Sequence, residues 1–158
     1  MMRIGKLTDY ATVILATLAD DRARLQNAGA LAERTHIAAP TVSKLLKQLH
    51  RAGLVTSTRG TRGGYQLARP ADAISAAAIL DALEGPMALT DCSAGTGQCC
   101  LEHSCQVSRT WQRINAAIRR SLSEISLAQL AGLDHRTATL PLERELKHFV
   151  RAKAVPQS

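Results

Sequence analysis

All the thiols of this 158-residue chain, Cys92, Cys99, Cys100 and Cys105, sit in one stretch, DCSAGTGQCCLEHSC at 91–105. In a reducing cytosol, thiols gathered this closely point to metal or redox chemistry more than to structural disulfides. Six residues separate Cys92 from Cys99 and five separate Cys99 from Cys105. These gaps are wider than the paired CxxC knuckles of structural zinc sites. They suit a loop that wraps a larger object, and iron-sulfur clusters take thiolates from several sides. Ser93, Ala94, Gly95, Thr96 and Gly97 supply a small, pliant segment for that wrapping. On spacing, a cluster ranks ahead of zinc and of a disulfide switch, and both alternatives stay open.

A second chemistry lies upstream. From Arg34 to Arg69 there are seven Lys or Arg residues and no Asp or Glu. A one-signed stretch of this kind attracts phosphates and makes binding fall with salt. Its punctuation reads as a helix AGALAERT, a tight turn HIAA, and a second helix opened by Pro40 and stopped by Gly53. Val42, Leu45, Leu46 and Leu49 form the apolar stripe of that second helix. Thr41, Ser43, Lys44, Lys47, Gln48 and Arg51 are left on its other faces. LVTST and YQLA then read as two strands joined by RGTRGG, a hairpin with a basic tip.

A helix-turn-helix followed by such a hairpin is a winged helix, whose second helix enters the major groove while the wing reaches a neighbouring groove or the backbone. The residues expected to meet double-stranded DNA are Thr41, Ser43, Lys44 and Lys47 on the helix and Arg59, Arg62, Gly63 and Gly64 in the wing. Tyr65 and Trp111 read as packing residues, and His36 and His50 as polar surface.

These elements must be carried by a small helical core. The chain is 46% hydrophobic but only 3% aromatic, which suits packed helices more than sheets. Its formal charge of +7 favours polyanionic partners, nucleic acid before an anionic membrane surface. The run YATVILATLA, opened by Asp9 and closed by Asp20 and Asp21, reads as a first helix rather than a signal peptide. Tyr10, Val13, Ile14, Thr17 and Leu18 mark its expected inner face.

A helix ISAAAILDAL follows the wing, with Ile79, Leu80 and Leu83 inward and Gly85-Pro86 as its stop. After the cysteines, Trp111, Ile114, Ile118, Leu122 and Ile125 line one side of a long helix, an arrangement suited to a partner helix in a two-fold dimer. No run approaches the ~18 apolar residues of a membrane span.

KLTDYA, APTVSKLLKQLHRAGLVTSTRGTRGGYQLARP, LEGP and the cysteine loop together resemble the winged-helix iron-sulfur regulators of the IscR and NsrR type over about residues 1–132. LTDYATVILA, CCLEHSC and WQRIN are most similar to the branch that regulates the SUF system of cluster assembly. The resemblance implies a cytoplasmic homodimeric repressor whose 2Fe-2S or 4Fe-4S cluster tunes its affinity for promoter DNA. It also implies that Cys92, Cys99 and Cys105 are the cysteine ligands.

In one type the fourth ligand is a histidine three residues past the last cysteine, where this chain has Ser108. In the other it is an aspartate in the first helix of the partner subunit, and Asp9 matches that motif. Asp9 therefore ranks first, with Cys100 and His103 as the alternatives. The implied organisation is a mainly α fold with a small β-hairpin. Residues 1–90 form the winged helix-turn-helix domain, 91–106 the cluster loop, 107–132 a dimerisation helix, and 133–158 a tail that is a short helix or disordered.

The competing function is a nitric-oxide- or thiol-redox-responsive repressor of the same fold. An enzyme is not expected, because no histidine or acid stands in a catalytic arrangement with a cysteine, and RGTRGG lacks the strand-to-helix context of a phosphate loop. No small-molecule substrate is expected either.

Overall fold

The computed structural model describes residues 5–21, 24–90 and 107–133. The cysteine loop at 91–106 and the chain beyond residue 133 lie outside the described residues. Six helices α1 to α6, one 3-10 turn η1 and a two-stranded hairpin β1–β2 make up the described structure.

Helix α1 spans Lys6–Asp20. Its N-terminus is held by a residue far along the chain: the Glu84 carboxylate accepts hydrogen bonds from the Gly5 N–H, at 3.2 Å, and from the Thr8 hydroxyl. An anion at this end is favoured by the helix dipole. Thr8, Ala11, Ile14, Leu15, Leu18 and Ala19 are buried. The expected inner face is thus rotated by part of a turn, because Val13 is 46% exposed and Tyr10 and Thr17 are only half-buried. The physical reason is that the segments 28–35, 39–51, 76–84 and 127–130 pack against α1, and Ala11, Leu15 and Leu18 join the core with them.

Helix α2, Ala28–Thr35, is capped by Asn27, whose side-chain oxygen accepts from the Ala30 N–H at 2.8 Å. His36 closes it in the left-handed region at φ 56°. Helix α3, Ala39–Arg51, carries Pro40 in its first turn. Gly53 at φ 69° ends it. The Gly53 N–H donates to His50 O and the Leu54 N–H to Leu49 O, both at 3.0 Å, the Schellman pattern that glycine permits. Val42, Leu45, Leu46 and Leu49 are fully buried, as the stripe predicts. Each such burial stabilises the fold by roughly 1.5–3 kcal/mol.

Strands β1, Val55–Thr58, and β2, Gly64–Leu67, pair antiparallel with Val55 opposite Leu67 and Ser57 opposite Tyr65. The pairing begins one residue later in β1, and one earlier in β2, than the pattern suggests. After η1, Ala71–Ala73, helix α4 spans Ala76–Glu84, capped by Ser75 and ended by Gly85 at φ 84°. On α4 Ile79 is buried, whereas Leu80 and Leu83 are only half-buried.

The expected long helix is two helices. Helix α5, Ser108–Glu124, stops at Ile125, which is extended at φ −87° and ψ 121°. Ser126 then opens α6, Leu127–Leu130, with a reciprocal capping box to Gln129. The break is fixed by the backbone: the Ala76 N–H donates to Ile125 O at 2.8 Å and the Leu127 N–H donates to Ile74 O at 2.7 Å. This short bridge brings Leu127 into the core beside α1 and η1, where it is fully buried. Among the described residues no helix is long and apolar enough to cross a membrane.

Leu127→Ala should therefore destabilise the chain by about 2–5 kcal/mol in a urea unfolding titration. A change below about 0.5 kcal/mol would mean that α6 is not part of the core.

Candidate nucleic-acid interface

Helix α3 has one face in the core and one in solvent, so the stripe that buries Leu45 and Leu49 also decides which side chains face outward. Lys44, Lys47, His50 and Arg51 are exposed, and Thr41 and Ser43 near the N-terminal end are half-buried. At the hairpin tip Arg59 and Arg62 are exposed, and the Gly63 N–H closes the turn by donating to Gly60 O at 2.9 Å. The structure thus presents the six helix and tip side chains expected to meet DNA on α3 and on the loop that follows β1.

Gly64 behaves differently from its sequence expectation, because it is buried rather than open to a ligand. A Cβ there would lie 2.9 Å from the backbone of Gln26. Gln26 and Tyr65 exchange backbone hydrogen bonds, Gln26 N–H to Tyr65 O at 3.0 Å and Tyr65 N–H to Gln26 O at 2.8 Å. Glycine is needed here for an internal approach that fixes the hairpin to the segment before α2. Arg34, at the surface, donates to Gln26 Oε1 at 2.7 Å and pairs with Asp20 at 3.3 Å. Of the basic residues from Arg34 to Arg69, Arg34 therefore ties α2 to α1.

Between α3 and the hairpin lies a concavity of about 230 Å³ lined by Lys47, His50, Arg51, Ser57 and Tyr65. Sequence reading assigned only Lys47 of these to a site. The missed signal was the spacing 47, 50, 51 on one helix face combined with a cross-strand pair, whose register a sequence does not display.

Of the ligand set expected for a cluster, only Asp9 lies among the described residues. Asp9 is exposed in the first turn of α1. Cys92, Cys99, Cys100, His103 and Cys105 lie outside the described residues. Among the described residues no three His, Cys, Asp or Glu side chains form a metal-binding group.

The segment leading to the cysteines is anchored by Asn115, a buried side chain of α5. Its oxygen accepts from the Leu89 N–H at 3.2 Å and its amide donates to Met87 O at 3.3 Å. One turn later Arg119 makes a two-pronged pair with Asp81 of α4, at 2.9 and 2.6 Å. The hydrogen bond and charge of Asp81 hold the Arg119 guanidinium above its usual pKa, against a small opposing effect of burial. Along the same helix Trp111 is 41% and Ile114 40% exposed.

Replacing Gly64 by alanine should cost about 1–3 kcal/mol of stability by urea unfolding, since the new methyl group meets immobile backbone. A neutral result would remove the Gln26 contact as the reason for glycine.

The chain is 30% identical over 132 residues to the HTH-type transcriptional regulator NsrR of Oceanobacillus iheyensis, a match that covers 82% of this chain and 89% of that one. Other curated HTH-type regulators align over less, 66% and 67% of their length for those of Haemophilus influenzae and Synechocystis. Among solved structures, CymR of B. subtilis, described as the global cysteine regulator, is similar with a TM-score of 0.68 and 29% identity, covering 85% of this chain and 99% of that one. IscR of T. potens shares the fold, with a TM-score of 0.63 at 23% identity, over 90% of this chain and 96% of that one. These relatives are transcriptional regulators rather than enzymes. The profile of the Rrf2 family, described as iron-dependent transcriptional regulators, matches residues 4–132, and with the winged helix in place the chain belongs to that family.

Proposed function

We propose that this chain is a cytoplasmic, homodimeric repressor that binds double-stranded promoter DNA of iron-sulfur cluster assembly genes, with its affinity tuned by a 2Fe-2S or 4Fe-4S cluster. The observation that carries the DNA reading is the exposure of Lys44, Lys47, Arg51, Arg59 and Arg62 on α3 and the hairpin tip, in a stretch without a single acid. In this reading Thr41, Ser43 and Lys44 meet base edges and phosphates, Lys47 and the two tip arginines meet phosphates, and Gly63 and Gly64 hold the wing in shape.

The exposed Trp111 and Ile114 support a dimer, since large apolar side chains left open along α5 suit a second copy of that helix. Cys92, Cys99 and Cys105 supply soft thiolates appropriate to iron and sulfide. The exposed Asp9 adds a carboxylate that protonation or displacement removes more readily than a thiolate, which suits a sensor. The cluster, when bound, would supply sensitivity to iron, oxygen or nitric oxide.

A second reading, a repressor switched by nitric oxide or by thiol oxidation, is favoured by Cys100, a fourth thiol beside Cys99 that a three-cysteine ligand set does not use. Alkylation mapping before and after peroxide separates the two: a reversible bridge without iron selects the switch.

Three outcomes test the proposal. Cluster-loaded and cluster-free protein should differ in affinity for an assembly-gene promoter at fixed salt, and equal affinities for every promoter tried would defeat the regulatory reading. Arg62→Ala should weaken duplex binding and lower the slope of log K against log salt by about one, as loss of one phosphate contact requires. Cys99→Ala should abolish the visible absorption of anaerobically prepared protein, while Cys100→Ala keeps part of it.

A further inference from the structure

Gly85, at φ 84°, ends α4, and Pro86 starts the segment that follows it. The Met87 carbonyl and the Leu89 N–H, on either side of Ala88, meet a single side chain of another helix. The Asn115 amide donates to Met87 O at 3.3 Å, and its oxygen accepts from the Leu89 N–H at 3.2 Å. A carboxamide carries a donor and an acceptor together, so Asn115 serves 87–89 as a neighbouring strand would. It is only 9% exposed, and a buried amide of this kind costs stability unless both bonds form.

The place of these bonds along the chain matters for the thiols. Leu89 stands three residues before Cys92, and Ser108, the 4% exposed first residue of α5, stands three after Cys105. Ser108 and Asn115 are about 10 Å apart along the axis of α5. Both ends of the cysteine-bearing chain at 90–107 are therefore held on one helix, about two turns apart. A flexible chain of that length would separate its ends by roughly 25 Å. Holding them closer removes part of the closure entropy that gathering Cys92 and Cys105 around one ligand costs. The Arg119–Asp81 pair also joins α5 to α4, but it does not touch 87–89.

We propose that Asn115 is a positioning residue for the thiolates: by fixing Leu89 on α5 it keeps Cys92 within roughly 11 Å of that point and raises the affinity of the cysteines for a thiolate-bound group. The inference rests on the reading of Cys92, Cys99 and Cys105 as ligands, and it adds a direction of control. Linkage is reciprocal, so a group held by the thiolates tightens the Asn115 bonds by the same factor. Occupancy is thereby felt by α5, the helix that carries the exposed Trp111 and Ile114.

The test uses the full chain, cluster-free and anaerobic, titrated with cobalt(II) alone and read from thiolate-to-cobalt absorption. Exchange of the Leu89 amide is followed by NMR in the same samples. In the wild-type chain cobalt should bind and slow that exchange. Asn115→Ala should weaken cobalt binding about tenfold and lose the slowing. Asn115→Asp keeps an acceptor for Leu89 but has no donor for Met87 O; it should fall between the two, and it carries the comparison if the alanine variant does not fold. Arg119→Gln, which breaks the pair with Asp81 and leaves 87–89 alone, should bind cobalt as the wild type does. Iron and sulfide then separate this inference from the cluster reading. If no cluster assembles although Asn115→Ala weakens cobalt binding, the cluster reading fails and the positioning role stands. If a cluster assembles and cobalt binds wild type and Asn115→Ala equally, the positioning role fails and the cluster reading stands. No thiolate absorption in the wild type, or a loss in Arg119→Gln as large as in Asn115→Ala, would also overturn the inference.

Discussion

The paired backbone hydrogen bonds between Gln26 and Tyr65 set the geometry on which the outward-facing chemistry depends. An isolated two-stranded hairpin is marginally stable in water, so its direction must come from outside itself. Here the loop before α2 acts as a third edge, and the Gln26 side chain extends the tie by accepting from Arg34 and donating to Thr17 O. Hairpin, α1 and α2 are joined through one buried residue. Because α3 is packed on the same core, the tie also fixes the separation of hairpin and helix and shapes the cationic concavity between them.

A second constraint works through the polar pairs of α5. Asn115 reaches the segment at 87–89 and Arg119 reaches Asp81 of α4, while Ser108 accepts from Gln112 within the helix. Trp111 and Ile114 are left exposed by the described chain. Polar pairs give this packing a direction that interchangeable apolar contacts would not, since a rotated helix would leave the Asn115 amide buried without partners. The same logic ends the helix: once Ile125 gives its carbonyl to Ala76, α5 cannot continue, and Leu127 enters the core.

The recognition unit was legible because its signals are local. Pro40, Gly53 and the four apolar residues from Val42 to Leu49 act within one helix, and the structure has them as the sequence pattern requires. The end of α5 was not legible, since the apolar repeat runs on through Ile125 and the bridge that interrupts it comes from residues 74–76. The inner face of α1 was misjudged for a related reason: hydrophobicity alone does not distinguish Val13 from Leu15, and the helices packed around α1 do.

By itself, then, the sequence determined the order of the elements, the charge of the surface that a polyanion would meet, and the grouping of the thiols, all properties of neighbours along the chain. Tertiary structure alone decided that Gly64 serves Gln26, that Glu84 anchors the start of α1, that Asn115 holds residues 87 and 89, and that His50, Arg51, Ser57 and Tyr65 share one concavity. Each of these joins groups far apart along the chain or on separate elements. Such contacts depend on the angles at which packed elements meet, which local propensity and periodicity do not encode.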